Sequence, residues 1–360
     1  MRRFFLILLI ILIFIAVVIG VFLIFQRYKT LEIFPENEEN NVSGFDPSSL
    51  KWERVIPKTD FWSGRDAHST VVFNDKIYLF GGVEGGKVSN QNPIYENVPH
   101  KGDVWVSEDG ENWKLITEKA KWQERRSMAT AVFKNKIFLM GGWEKRWGET
   151  KNDVWVFEDG TNWDKIAIAQ WQGREGHSAV VFKDKLWIAG GVNFFTRKTM
   201  NDVWSSEDGI KWTLATDDAG WSKRYDHTLT VFQDKLWLIG GLDFGEDVKK
   251  DVWVSEDGIN WQLATDNPPW SARHGHVAVE FKNLLWIISG WSEGTGAMND
   301  VWYSEDGYNW KETKEKTPWP GREDHSLVVF KDQMWVMGGM AEEGKDWVWE
   351  NDIWRSTFPD

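Results

Sequence analysis

A unit of about 49 residues occurs six times along this 360-residue chain, and no other feature restricts its fold as strongly. In each copy a Trp precedes an Arg by three residues. The arginines are Arg65, Arg125, Arg174, Arg224, Arg273 and Arg322. Repetition at a fixed period indicates one structural unit that buries its apolar faces against its own copies.

Each copy has the pattern of a four-stranded antiparallel sheet. An apolar strand ending in Phe, such as Phe73, leads through a polar turn to a second apolar strand that runs into Gly-Gly, as at Gly81-Gly82. The fifth copy has Ser289-Gly290 instead. A third strand begins Asp-Val-Trp or Asp-Ile-Trp, and after a tight turn a fourth strand opens with Trp. This order of strands and turns is typical of one propeller blade.

The two ends of the repeated region predict how a ring of blades closes. The sixth copy stops after Trp354 without a fourth strand, and a matching segment, Ser49 to Arg54, precedes the first copy. We expect the segment around Trp52 to pair with the strand that holds Trp354. The predicted fold is therefore all-β, a six-bladed propeller over residues 46–360.

The first 45 residues differ in composition from the repeats. Residues 4–25 carry no charged or strongly polar side chain, and as a helix they would extend roughly 33 Å, against a bilayer core of about 30 Å. A cleaved signal peptide usually has a shorter apolar stretch. We expect an uncleaved signal-anchor helix at 1–25, a polar acidic linker at 26–45, and a single-pass membrane protein with a cytoplasmic N-terminus and an extracytoplasmic propeller.

Charge and cysteine content exclude several functional classes. The formal net charge of −13 would repel a phosphate backbone, so nucleic acid is not expected as a partner. The absence of Cys excludes disulfides, thiolate metal sites and a cysteine nucleophile. We expect no cofactor and no metal.

The repeat resembles the Kelch family, whose signature is a paired glycine after the second strand, a downstream aromatic strand and a Trp further on. The stretch Ser107 to Trp113 is also similar to the Asp-box turns of sialidases, although it is one residue shorter, and we interpret it as a hairpin device. The Kelch resemblance implies a protein-binding platform, an oxidase domain or a sialic-acid mutarotase. A copper-radical oxidase is excluded because its cofactor needs a cysteine crosslinked to tyrosine.

Strand order places the loops between second and third strands on one face, around one mouth of the central channel. Five of the 27 Trp fall outside the repeated positions, and all five lie in these loops. Because aromatic rings offer rigid contact area and stack on sugars or cations, we predict that these loops bind a ligand. The candidates are Trp143, Arg146, Trp147, Phe194, Phe195, Arg197, Phe244, Trp291, Trp347, Trp349 and Tyr95.

A second set of residues repeats around the channel. Besides the six arginines it contains His68, His177, His227, His276 and His325, with Met128 in the second copy. Histidines around a channel could suggest a metal site, but sixfold repetition is what a framework role predicts. We interpret both sets as a structural ring and expect the arginines to bond backbone or acidic groups between blades.

The predicted function is a binding or scaffold module for a protein, peptide or glycan, and we do not expect an enzyme. The alternative is a carbohydrate-active enzyme, either sialic-acid mutarotase-like or sialidase-like. A sialidase-like site would need a triad of free arginines and a tyrosine nucleophile with a Glu partner. Only Tyr95 and Tyr225 are placed to face the mouth.

Overall fold

A computed structural model describes residues 45–89, 98–145, 148–158, 162–245 and 247–358. A short 3-10 helix, Pro47–Ser49, precedes the first strand, and Asp46 caps it by accepting a hydrogen bond from the Ser48 amide. The remaining elements of these ranges are β-strands.

Six sheets of four antiparallel strands account for most of the described chain. Sheets 1 and 2 consist of Ser69–Phe73, Lys76–Phe80, Val104–Ser107 and Trp113–Thr117, and of Ala129–Phe133, Lys136–Met140, Asp153–Phe157 and Trp163–Ile168. Sheets 3 and 4 consist of Ser178–Phe182, Lys185–Ala189, Val203–Ser206 and Thr213–Thr216, and of Thr228–Phe232, Lys235–Ile239, Val252–Ser255 and Gln262–Thr265. Sheets 5 and 6 consist of Val277–Phe281, Leu284–Ser292, Gly296–Ser304 and Trp310–Glu312, and of Ser326–Phe330, Gln333–Met337, Ile353–Thr357 and Lys51–Val55.

The fourth strand of sheet 6 comes from the beginning of the repeated region. Lys51–Val55 runs antiparallel to Ile353–Thr357, with Trp52 opposite Ser356 and Arg54 opposite Trp354. The pairing predicted between the segment around Trp52 and the strand that holds Trp354 is therefore confirmed.

The burial pattern distinguishes the second strand of a sheet from the first. In the second strand of sheet 2 every residue after Lys136 is buried, whereas in the first strand buried and half-buried residues alternate. A short continuous apolar run is expected for a strand covered on both faces. The core lies between adjacent sheets: Phe80 of sheet 1, for example, joins one cluster with Leu139 and Phe157 of sheet 2.

Short strands extend from the sheets at the end where second strands finish. They are Arg65–Asp66 with Val83–Glu84, Arg125–Arg126 with Trp143–Glu144 and Glu149–Thr150, Val192–Asn193 with Lys198–Thr199, and Arg322–Glu323 with Met340–Glu343, Asp346–Trp349 and Lys87–Ser89. In all six sheets the residue after the repeated Arg pairs with the residue after the second glycine of the Gly-Gly position, as Arg126 does with Trp143 and His274 with Trp291. This pairing holds the loops between second and third strands beside the channel.

Within the described ranges, no helix combines the length and the apolar composition of a membrane span. The predicted single-pass membrane localisation is corrected on this finding and is not retained. Residues 4–25, from which the anchor was predicted, and most of the predicted linker lie outside the described residues.

Candidate functional site

The six repeated arginines are bound within their own sheets. Arg65 donates from Nη1 to Asp103 Oδ1 (2.7 Å) and from Nη2 to Asp103 Oδ2 (3.0 Å), and Nη1 also donates to the Gly81 carbonyl (2.9 Å). The indole of Trp105 donates to Asp103 Oδ2 (2.9 Å). The equivalent ion pairs are Arg125–Asp153, Arg174–Asp202, Arg224–Asp251, Arg273–Asp300 and Arg322–Asp352. The motif Asp-Val-Trp thus supplies the acid that each buried arginine needs.

The repeated arginines were expected to bond groups between blades, but the aspartate that each one binds belongs to its own sheet. Asp103 directly precedes the third strand of the same sheet, Val104–Ser107, and Arg65 reaches both it and the Gly81 carbonyl at the end of the second strand. Contact between sheets comes instead from the arginine main chain, since the Gly82 amide donates to the Arg125 carbonyl (3.0 Å). The Gly339 amide of sheet 6 donates in the same way to the Arg65 carbonyl (2.9 Å).

The repeated histidines are buried between sheets. Burial lowers the pKa of His68 and of His227 to about 3, so both imidazoles are neutral at pH 7. A Cβ on Gly82, which has φ of 96°, would lie 2.8 Å from His68 Cβ, and this close approach explains the second glycine of the pair. No group of three or more His, Asp or Glu side chains within the described part of the chain is placed to hold a metal ion.

A closed ring of backbone hydrogen bonds forms the neck of the channel. It joins the residues that stand two after each arginine, and each amide donates to the corresponding carbonyl of the preceding sheet at 2.8–3.2 Å. The neck residues are Ala67, Ser127, Gly176, Asp226, Gly275 and Asp324. All six have positive φ, between 49° and 60°. A Cβ on Gly176 would lie 2.4 Å from Asp226 Oδ1 and one on Gly275 2.9 Å from Asp324 Oδ1, so glycine makes room for the two carboxylates.

Above the neck, one cavity of about 290 Å³ opens between the loops, and we call it the mouth cavity. Five of its lining residues directly follow a repeated arginine: Arg126, Glu175, Tyr225, His274 and Glu323. The neck aspartates Asp226 and Asp324 line it too, and they also line a second cavity of about 240 Å³ deeper in the channel. The two cavities therefore share neck residues in their linings.

Sequence reasoning missed most of these residues. Each stands between the repeated Arg and the repeated His, the two positions interpreted as framework, and of the five only Tyr225 was expected from the sequence to face the mouth. The signal that would have found them is variation inside a repeated motif: the residue after the arginine is Asp66, Arg126, Glu175, Tyr225, His274 or Glu323, depending on the copy.

The mouth cavity is strongly acidic. Burial raises the pKa of Asp324 to about 6, and burial together with Asp324 raises the pKa of Asp226 and of Glu323 well above the usual range. Burial also raises the pKa of Glu175, although Arg126 donates from Nε to Glu175 Oε2 (3.0 Å) and opposes the shift. The carboxylates of Asp226, Glu323 and Asp324 accept no hydrogen bond from any described residue.

An aromatic wall borders the acidic cavity on one side. Phe194, Tyr225 and Phe244 contact one another, with ring centroids 5.3–6.4 Å apart. Phe194 and Phe244 are 38% and 39% exposed, whereas burial and the neighbouring Asp226 raise the pKa of Tyr225, whose phenol is neutral at pH 7. The structure thus brings two of the predicted candidates, Phe194 and Phe244, together beside Tyr225.

The other predicted candidates are more dispersed. Trp143 lies under the Arg126 guanidinium (5.1 Å) and against His100, and Trp291 contacts His274 edge-on (5.5 Å). Trp349 is buried against Gly85 and Trp347 is half-buried, while Phe195 and Arg197 point outward and are exposed. Tyr95, Arg146 and Trp147 lie outside the described residues.

Comparisons with known proteins agree with this architecture. Residues 34–241 and 127–339 match the family described as the KLHDC2/KLHL20/DRC7 Kelch-repeats domain. The chain is also similar to a solved structure titled "Structure of YjhT", at 15% identity and a TM-score of 0.65 over 83% of this chain and 96% of that chain. A likeness at this identity shows the fold alone, and a comparison with curated proteins returned no match. Since the family match spans more than half of its length, this chain belongs to the Kelch-repeat family.

Proposed function

We propose that this protein is a six-bladed Kelch-type propeller that acts as a binding module, and that it holds a protein, peptide or glycan at the mouth cavity. One observation carries the proposal: the cavity combines carboxylates that accept no hydrogen bond from the described residues with a partly exposed aromatic wall. Ligand sites typically join apolar surface to a few polar groups of this kind.

The carbohydrate-active alternative has less support. A sialidase-like site needs several free arginines, but the six repeated arginines are paired with aspartates and Arg126 is bonded to Glu175. A mutarotase-like site needs an acid or base, which Asp324 with its raised pKa would provide. However, among the described residues that line the cavity, Arg126 is the one guanidinium or ammonium group that could pair with the carboxylate of a sialic acid, and it is bonded to Glu175. The lining therefore favours a ligand other than a sialic acid.

A display experiment with the full chain tests the proposed binding function. Peptides selected from a random library, and hits on a glycan array, are measured against wild type and against Phe194→Ala/Phe244→Ala. We expect the double variant to bind at least tenfold more weakly, because central aromatic contacts commonly contribute 1–2 kcal/mol each.

The matched control is Ile259→Ala. Ile259 is also an exposed apolar residue (50%), but it lies in the turn between third and fourth strands at the opposite end of the sheet. Its removal should leave binding unchanged. The proposal fails if no peptide or glycan is retained, or if both variants bind like wild type.

A further inference from the structure

The charges around the mouth cavity do not balance. Five carboxylates, those of Asp66, Glu175, Asp226, Glu323 and Asp324, act on one another there, and Asp66, Glu175 and Asp324 each raise the pKa of at least one of the others. Among the described residues that line the cavity, Arg126 is the one guanidinium or ammonium group, and its Nε is bonded to Glu175. The site therefore holds more acidic than basic side chains, and the raised pKa values of Asp226, Glu323 and Asp324 show that ionisation there is unfavourable without a cation.

Glu323 is the most informative member of this group. The residue is 8% exposed and lines the cavity, yet its carboxylate accepts no hydrogen bond from a described residue. Its neighbour is His274, with Nδ1 3.5 Å from Glu323 Oε2. Burial lowers the pKa of His274 to about 4, so the imidazole is neutral at pH 7 and supplies no positive charge. Burying a carboxylate without a partner is costly, and a cation in the cavity would remove that cost.

The shape and lining of the cavity point to an organic cation. Its volume of about 290 Å³ is at the lower end for small-molecule pockets and suits one side chain. Phe194 and Tyr225 provide ring surface, on which an ammonium or guanidinium group is attracted and an alkyl stem is buried. The described residues offer no cluster of ligands for a metal ion.

We propose that the mouth cavity accepts a lysine or arginine side chain of a protein or peptide ligand, with its charge among Asp226, Glu323 and Asp324 and its stem against Phe194 and Tyr225. This inference rests on the proposed binding function and names the chemistry of the ligand.

The direct test uses n-butylammonium and methylguanidinium as probes, titrated calorimetrically into the full chain at constant ionic strength, with n-butanol as the neutral counterpart. We expect both cations to bind at least tenfold more tightly than n-butanol. Glu323→Gln and Asp226→Asn should each weaken binding of the cations by tenfold or more. Glu293→Gln removes an exposed carboxylate from a loop on the same face and should change the affinity for the cations less than twofold.

Acidification provides a second measurement on the wild-type chain. The groups that face Asp324 are Asp66, Arg126, Glu175, Tyr225, Asp226, His274 and Glu323. Because the carboxyl of Asp324 has a pKa of about 6 and must be ionised to pair with a cation, affinity should fall severalfold between pH 7 and pH 5. Each amide variant should flatten this dependence. Melting temperatures of both variants should equal or exceed that of wild type, which shows that they fold.

The outcomes separate this inference from the proposed function. If peptides selected by display depend on Phe194 and Phe244 but bind equally well after lysine is replaced by norleucine or arginine by citrulline, the binding function stands and the cation inference is wrong. Equal binding of n-butanol and n-butylammonium, or unchanged affinity in Glu323→Gln, would also overturn it.

Discussion

The residue that follows each repeated arginine has a different role from its neighbours. The arginine before it is fixed by an aspartate and a glycine carbonyl, and the second residue after it belongs to the hydrogen-bonded neck. The side chain between them points into the mouth cavity in five of the six sheets, where it is free to vary without disturbing the ring. Chemical variety is therefore concentrated at one position of each unit.

Asp324→Asn tests how much ionisation of the buried Asp324 carboxyl lowers the free energy of unfolding. The folded-state pKa of Asp324, about 6, is above the usual 3.8, so the wild type loses stability as pH rises through 6 and the asparagine variant does not. We expect the variant to gain on the order of 2 kcal/mol in free energy of unfolding at pH 7.5 and close to nothing at pH 4. Urea denaturation at both values measures this difference. Glu293→Gln is the control, and an equal gain at both pH values would contradict the account.

At the scale of the element, the third strand carries the anchor of each sheet. Its leading aspartate accepts two hydrogen bonds from the arginine and one from the indole two residues further on, as Asp202 does from Arg174 and Trp204. Burial acts to raise the pKa of Asp202, but the hydrogen bonds and charge of Arg174 hold it below the usual value. The Arg174–Asp202 pair is consequently charged at neutral pH, and its contribution to stability is lost as pH falls through the lowered pKa of Asp202.

Arg174→Met and Arg224→Met should each lower the free energy of unfolding by on the order of 3 kcal/mol, since either change leaves a buried aspartate without its cation. A framework role predicts similar costs in the two sheets, because both pairs have the same geometry. Chemical denaturation at pH 7 provides the measurement, with the exposed Arg197→Met as control. A cost near zero, or a large cost in one sheet alone, would exclude a shared framework role.

At the scale of the whole molecule, the ring depends on contacts that join its two ends. Trp52 lies opposite Ser356, Arg355 donates to Glu53, and the Gly339 amide donates to the Arg65 carbonyl. The neck is completed by the Ala67 amide, which donates to the Asp324 carbonyl (3.0 Å). Closure protects the outer strand of sheet 6. It also brings Ala67, near the start of the ring, and Asp324, near its end, together in the lining of the mouth cavity.

An engineered disulfide tests this closure, and the absence of native cysteine makes the result unambiguous. Lys51 and Thr357 are directly opposite in the antiparallel pair, at a separation that a disulfide spans. Lys51→Cys/Thr357→Cys should oxidise readily and raise the free energy of unfolding by on the order of 3–5 kcal/mol relative to its reduced form.

Lys51→Cys/Ser356→Cys is the control for register. A shift of one residue turns the second cysteine to the opposite face, so this pair should remain reduced under the same conditions. Thiol titration, and melting temperatures with and without reductant, show which of the two cysteine pairs has formed a disulfide. Crosslinking in the control pair and not in the matched pair would show that the strands are in another register.

The sequence alone determined the repeating unit, its four strands and the pairing of Trp52 with the last strand, because periodic apolar patterns and turn residues report local structure directly. It also identified Phe194 and Phe244 as loop aromatics. Only the tertiary structure decided that the arginines bond aspartates of their own sheets, and that Asp226, Glu323 and Asp324 converge on one cavity. Asp226 stands 97 positions before Glu323 and 98 before Asp324, in a different copy of the unit, and the proximity of these carboxyl groups depends on closure of the ring rather than on any local preference. For the same reason the excess of carboxylates at the mouth is invisible in the net charge, which counts residues without regard to where the fold places them.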